Sequence, residues 1–450
     1  MSDAADEGCL RRLVIEPAPE AWATPTAPLD ATAPIFSGHQ AQIWHPGILV
    51  KDIVALEAAR RFATRAVHLV VDQDQHAVWR LDVPRREGDR LKVEAVLMAP
   101  HRAAVPTGFQ APGDADAVRQ NLPRLPREAA ARLGEALDAV EPQRPPTLAA
   151  QVAAITAHLA GATGTELPRV FASGLAREPR FIAFIERMVA DAERCVRAYN
   201  AAAMASPSAG IRPLALGREL IELPLWACRW NRVRREVFVD VGDARHRLTF
   251  ADATPIDRDA WELLPRALTM TAYVRSGSAS RFVHGLGGGQ YERVTQAWWL
   301  RWAGEPLAPV SVATADCVLR FEAPVADAAE WRRARWLRHH APQNVDRLLD
   351  LDTAPARRKR ALLDHMDDDR DPRRRAEAYQ EVQAINRQLR DDHPEVVGDA
   401  EARLARAEAG VHNAHVAAKR DWPLPLYDPA CLASLREAAQ QRLASPCACG

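Results

Sequence analysis

The hydrophobic positions change period several times along the chain. Residues 1–33 are rich in Pro, Ala and Thr and predict an extended lead-in. Pro34-Ile35-Phe36 is a short apolar run, read as a buried strand that stops at Ser37-Gly38-His39-Gln40. From Pro46 onward Ile48, Leu49, Ile53, Leu56, Ala59 and Phe62 recur at helical spacing. Pro46 suits the first turn, where its missing N–H has no partner to lose. Ala66–Val71 is a run of strand formers ending in Asp72-Gln73-Asp74. Strand, helix, strand predicts a parallel βαβ unit with a right-handed crossover. Two further strands are expected at His76–Val83 and Lys92–Met98, across a polar turn at 85–90.

From about 115 to 205 the pattern is Ala-rich and helical, broken by Pro142, Pro145 and Pro146. Arg180–Ala203 predicts one long helix with Phe181, Phe184, Ile185, Met188 and Val189 as its apolar stripe. Strands return at Leu220–Trp230, Glu236–Val241 and Arg245–Phe250, as a small antiparallel set. A helix at Trp261–Thr271, a strand at Arg281–His284, a Gly-rich loop at 285–289, a helix at Tyr291–Trp302 and a strand at Pro309–Ala313 complete this part. Trp298, Trp299, Trp302, Trp331 and Trp336 are expected as core and interface anchors. Beyond about 325 the strands end. Ala376, Tyr379, Val382, Ile385 and Leu389 form one narrow stripe, the turn lies at Asp391–Gly398, and a charged helix continues to Arg420, predicting a helical hairpin arm. Trp422–Tyr427 reads as an extended return to the core.

The expected fold is therefore α/β. It has a Rossmann-like parallel-sheet core, a small antiparallel insertion and a C-terminal helical arm forming a short coiled coil. The segments are 1–33 (lead-in), 34–115 (first part of the core), 116–210 (helical connection), 211–325 (strands and second part of the core), 326–420 (arm) and 421–450 (return and tail).

Composition narrows the functions. Hydrophobic residues are 48% and charged residues 26%, an ordinary globular balance over 450 residues. Lys plus Arg and Asp plus Glu are both 59, so no basic excess points to nucleic acid. The runs at Arg332–Arg338 and Arg357–Arg360 have acidic neighbours and read as solvated helix faces. No apolar run approaches a membrane span, and the N-terminus lacks an export pattern, so a cytoplasmic location and no membrane partner are expected. Seven irregularly spaced cysteines fit reduced thiols. Cys195, Cys228 and Cys317 read as packed hydrophobes, and Cys447-Ala448-Cys449 lacks further ligands nearby. No metal site is expected.

Three segments carry candidate chemistry. Ser37, Gly38, His39, Gln40, His45 and Gly47 lie between a buried strand and a helix N-terminus, where open α/β sheets bind ligands and helix N–H groups attract anions. Lys51, one turn on, is placed to reach a phosphate or to sit on the surface. Asp72, Asp74 and His76 follow the next parallel strand, beside the first loop, where carboxylates can hold Mg2+, a ribose or a substrate amine, or simply end the strand. His284-Gly285-Leu286-Gly287-Gly288-Gly289-Gln290-Tyr291 again joins strand to helix, with more glycine than a turn requires. It is neither the dinucleotide fingerprint nor a phosphate-binding loop with its Lys.

Together these motifs resemble the bacillithiol biosynthesis cysteine-adding enzymes. The likeness rests on Ser37-Gly38-His39-Gln40, His45-Pro46-Gly47 and Lys51, on Val70–Asp74, and on His284–Tyr291. His39 stands where that family has glutamine, Gln73 stands where it has an acid, and the arm is shorter. The resemblance implies a ligase adding cysteine to the amine of glucosaminyl-malate or a related amino sugar. It also implies nucleotide activation (ATP or ADP with Mg2+) and a coiled-coil arm able to pair two copies. Under it, His39, Asp72, Asp74 and His76 are the expected catalytic groups. Ser37, Gly38, Gln40, His45, Gly47, Lys51, His284, Gly285, Gly287, Gly288, Gln290 and Tyr291 are the expected binding groups. A nucleotidyl-transferring enzyme on the same core, and an inactive scaffold that self-associates through its arm, remain open alternatives.

Overall fold

The computed structural model describes the backbone of residues 9–19, 22 and 32–444. The strands are β1 (Leu10–Glu16), β2 (Ile35–Gln40), β3 (Ala66–Val71), β4 (Arg80–Glu87), β5 (Arg90–Leu97), β6 (Arg169–Phe171), β7 (Leu220–Cys228), β8 (Arg235–Asp240), β9 (Arg247–Thr249), β10 (Glu262–Pro265), β11 (Arg281–His284) and β12 (Val310–Cys317). The helices before the arm are α1 (Pro46–Arg61), α2 (Ala115–Asn121), α3 (Arg127–Val140), α4 (Leu148–Ala160), α5 (Pro179–Ala190), α6 (Ala192–Met204), α7 (Ala267–Arg275) and α8 (Leu286–Ala303). After them come α9 (Ala328–His340), α10 (Val345–Leu348), α11 (Ala354–Asp368), α12 (Pro372–Asp392), α13 (Pro394–Ala417) and α14 (Pro429–Ala444).

The chain forms two compact units. The first holds residues up to 83, 95–319 and from 420 onward; the second holds 84–94 and 320–419. The first is a mixed α/β unit built on a six-stranded sheet of order β1-β12-β11-β2-β3-β6, parallel except for β1. Ile35, Ser37, Ala66 and His68 occupy matched positions in the β2–β3 register and face α1. Phe36, Leu69 and Phe282 point to the opposite face and join a core with Phe181, Met188, Tyr199, Trp298 and Trp302. That core continues into the antiparallel sheet of order β10-β7-β8-β9 through Leu223 and Val237. Because helices cover both faces of its parallel strands, the sheet reads in sequence as short apolar runs rather than alternation.

Several elements differ from expectation. β1 lies within the expected lead-in as an antiparallel edge strand. The β4–β5 hairpin turns at Gly88, whose φ is +58°, so the expected polar turn at 85–90 is mostly strand. The single helix Arg180–Ala203 is two helices, separated at Asp191. The Asp191 carboxylate takes Trp302 Nε1 at 3.0 Å and Arg194 Nε at 2.7 Å, fixing a side chain that the break presents. Residues 262–265, expected in a helix, pair with β7 as β10. The expected extended return is a 3-10 turn, Leu424–Leu426, and α14 follows it. Cys9 and Cys431 are disulfide-bonded rather than reduced, while Cys195, Cys228 and Cys317 are buried free thiols, as expected. The Cys447–Cys449 motif lies outside the described residues.

The second unit is helical apart from the strand ends at its 84–94 segment. α12 and α13 are separated only at His393, and Gly398 is inside α13. The expected hairpin is replaced by two pairings, α12 with α11 and α13 with α9. Val382, Ile385 and Leu389 are buried with Leu362, whereas Tyr379 and Ala376 are exposed. Trp336 is 59% exposed and anchors no core. Asn413 is fully buried and satisfied by Leu91 N at 2.8 Å, Asp89 O at 2.7 Å and Pro324 O at 2.8 Å. No helix among the described residues is long and apolar enough to cross a membrane.

Candidate functional site

In sequence order the parallel strands run β2, β3, β6 towards one edge, then return to the middle as β11 and continue to β12, beside the antiparallel edge strand β1. The reversal falls between β2 and β11. Two chain segments diverge beyond the carboxyl ends of these strands, and they leave a crevice where α/β sheets bind ligands. A cavity of about 360 Å³ lies there. It is lined by Gly38, His39, Gln40, His45, Gly47, Lys51, Asp74, His284, Gly285, Gly287, Gly288 and Tyr291. All the residues singled out in the sequence are thus brought together except Ser37, Asp72, His76 and Gln290.

Two helices begin at this cavity. His45 is extended and caps α1, its Nδ1 accepting from Gly47 N at 3.2 Å, with Pro46 in the first turn. Gly285 is extended before α8 and supplies no side-chain cap, so the first N–H groups of α8 are free for an anion. The expected Gly-rich loop is therefore the first turn of a helix. A Cβ on Gly288 would meet His284 Nδ1 at 2.4 Å, and one on Gly289 would meet Val312 Cγ2 at 2.5 Å, so close packing requires both glycines. A Cβ on Gly287 would meet nothing within 4 Å and would project into open space.

The charges are set by burial. Lys51 is buried, and its Nζ donates to Gly38 O at 2.6 Å. Burial brings its pKa down to about 8, partly opposed by neighbouring Asp52. His39 is held well below its usual pKa by burial first and Lys51 second, so it is a neutral imidazole at pH 7. His284 Nε2 lies 3.1 Å from Glu292 Oε1, with the Nδ1 edge turned towards Gly288. Glu292 is also paired with buried Arg275. Burial raises the Glu292 pKa, but His284 and Arg275 outweigh it and the net shift is downward. The Glu292 carboxylate thus stands behind the imidazole ring, on the side away from Gly288. Asp74, the acid of the cavity, accepts from Gln40 Nε2 at 3.1 Å and Arg234 Nη1 at 2.9 Å.

The residues expected at the site but placed elsewhere have other partners. Asp72 turns towards β6, where it accepts from the N and Oγ of Ser173. Its burial raises the pKa to about 6, opposed by those Ser173 bonds. His76 Nε2 meets Ala41 O at 3.0 Å, and its ring does not line the cavity. Ser37 lies beneath the cavity in a buried cluster with Asp52 and His68, the His68 Nδ1 being 2.8 Å from Asp52 Oδ1 and 3.2 Å from Ser37 Oγ. The residue types are those of a nucleophilic triad, but one histidine nitrogen serves both partners and the serine is fully buried, so the cluster is structural. Lining residues with no signal in the sequence are Thr271, Thr314 and Arg420. The Arg420 guanidinium is held by Asp316.

Asp72→Asn is therefore expected to leave ligand binding in the cavity unchanged. A carboxyl with a raised folded pKa destabilises the fold once pH passes the unfolded value near 3.8, fully so above about 6. The wild type should lose stability across that window relative to Asp72→Asn, as read by urea unfolding at pH 4 and pH 7. Loss of ligand binding in the variant would restore Asp72 to the site.

No protein-family model matches the chain, and no curated protein matches it.

Proposed function

We propose that this cavity is the active site of a small-molecule ligase that forms an amide C–N bond. The substrates are cysteine and an amino sugar of the glucosaminyl-malate kind, and the chain is a divergent relative of the bacillithiol cysteine-adding enzymes. The observation that carries the reading is convergence: motifs around positions 38–51, 74 and 284–291 line a single cavity at the reversal of strand order. We read the sheet as Rossmann-like because, numbered among the parallel strands alone, its order is 3-2-1-4-5 from β6 to β12.

In this reading a substrate carboxylate lies against the N–H groups of α8, with Lys51 and Arg420 supplying charge. Asp74 holds the amine, and His284, backed by Glu292, takes its proton as the C–N bond forms and the bond from the carboxyl carbon to its activating phosphate or nucleotidyl group breaks, that group leaving as the anion. The donor set also suits the phosphates of ATP or ADP, and a nucleotide there would supply a group to activate the cysteine carboxylate. It does not suit Mg2+. The ion needs several oxygen ligands, whereas Asp74, the one carboxylate among the described lining residues, is already engaged by Arg234 and Gln40. The paired helix N-termini equally favour a second reading, a nucleotidyl-transferring enzyme, which would release pyrophosphate without cysteine.

The test is a mass-spectrometric search for the amide product with glucosaminyl-malate, cysteine and ATP. Gly287→Val accompanies it as a variant that adds bulk at a lining position where a Cβ meets nothing within 4 Å. The wild type should yield a cysteine-dependent product, and each bound substrate at about 100 times its Kd should add roughly 2.7 kcal/mol of stability. Both effects should vanish in Gly287→Val at unchanged intrinsic stability. Absence of product and of stabilisation by every substrate defeats the reading.

A further inference from the structure

The cavity makes no use of the sulfur chemistry of the first unit. Cys9 precedes β1, Cys317 ends β12, and Cys431 is in the first turn of α14. The β1–β12 register places Leu10 opposite Cys317, and α14 packs on β1. Three distant parts of the chain thus deliver sulfur to one point. Cys9 and Cys431 are bonded, yet the Sγ atoms of all three lie within 4.8 Å of one another. Cys317 is fully buried and Cys431 buried, while Cys9 is half-buried. One disulfide would suffice to staple β1 to α14; it does not call for a third thiol against it.

We infer that Cys9, Cys317 and Cys431, once the Cys9–Cys431 bond is reduced, form a thiolate site for a zinc-type cation. Zinc holds thiolates at about 2.3 Å in a tetrahedron, which sets the sulfurs roughly 3.8 Å apart. Once the bond is reduced, the Cys9 and Cys431 sulfurs need to part by about 2 Å and Cys317, within 4.8 Å of both, to close by about 1 Å, so each sulfur shifts by only about an ångström. Among the described residues neither a carboxylate nor an imidazole joins the group, and an all-sulfur set selects zinc over magnesium or calcium. The half-buried Cys9 side leaves the fourth position open to water.

The steps balance. A dithiol reductant gives two electrons and two protons to the Cys9 and Cys431 sulfurs and becomes its own disulfide. The cation then displaces one proton from each of the three thiols. The same three segments are then tied by a disulfide under oxidising conditions and by a metal under reducing ones.

The test uses full-length protein reduced with a dithiol, freed of reductant without air and titrated with Co2+ as a spectroscopic stand-in for zinc. The expected result is one equivalent bound with thiolate-to-cobalt charge-transfer absorption, displaced by Zn2+ and absent from the oxidised protein. Cys317→Ser should lose the signal while still forming the Cys9–Cys431 disulfide, which reports an intact fold. A Cys447→Ser, Cys449→Ser double variant should keep the signal. Reduced wild type that binds no cobalt, a Cys317→Ser variant that binds it equally well, or a signal that follows Cys447 and Cys449 would overturn the inference.

Discussion

Glu292→Leu is expected to lower the unfolding free energy by roughly 3–5 kcal/mol, the loss typical when one member of a buried ion pair is removed. The side chains of Arg275 and Glu292 are only 3% and 4% exposed. Without the carboxylate, Arg275 keeps Ala308 O at 2.7 Å and Gln296 Oε1 at 2.8 Å, but its charge has no counter-ion in a medium that cannot solvate it. The double variant Arg275→Met, Glu292→Leu removes both charges and should recover most of the loss, since the intact pair itself adds little net stability. Chemical unfolding of the three proteins at pH 7 separates these outcomes. The Glu292 contribution belongs above its ordinary pKa near 4.5 and is lost as pH falls through its lower folded value. The double variant carries the functional half of the prediction: it folds, but His284 has lost the carboxylate at its Nε2, so turnover should stay low. A loss below about 1 kcal/mol in Glu292→Leu would mean that water reaches Arg275.

That pairing also shows what the sequence could disclose. His284 and the glycines after it were visible because a strand, a Gly-rich turn and a helix follow each other within a dozen residues. Glu292 was not, because its importance comes from Arg275, on a different helix. Arg234, which holds Asp74, and Arg420, which enters the cavity from beyond the arm, were hidden for the same reason. Asp72 and Asp74 illustrate the limit within one motif. Both end the same strand, and only the tertiary partners, Ser173 for one and Gln40 with Arg234 for the other, decide which faces the cavity.

For the fold, β2, α1, β3 and β11 were legible, since buried parallel strands are apolar runs bounded by turn residues. β6 has three residues and no pattern to read. The break at Asp191 has neither Gly nor Pro, and β10 merges with the helix after it into one apolar stretch. The arm misled through its stripe. Val382, Ile385 and Leu389 are buried as their spacing suggests, but periodicity reports that a helix face is covered and not which helix covers it.

Lys51→Met should stabilise the protein while abolishing anion binding. Burial holds Lys51 at about 8, against an ordinary value of 10.5. Between those values the unfolded chain binds more protons than the folded one, so stability rises with pH across that window. At pH 7 the charged lysine therefore costs roughly 3 kcal/mol. Methionine fills similar space without charge but leaves Gly38 O without its donor, a loss of about 1 kcal/mol. The net expectation is a gain of roughly 1–2 kcal/mol at pH 7, with the rise between pH 8 and 10.5 removed. Phosphate and carboxylate ligands, expected to stabilise the wild type in thermal unfolding, should not stabilise the variant. Stability gained where function is lost is the mark of a charge kept for a ligand, because the cost of burying it is offset only when an anion arrives. Should Lys51→Met instead destabilise the protein and leave ligand stabilisation intact, Lys51 serves the fold by holding Gly38, and the anion is bound by the α8 N–H groups alone.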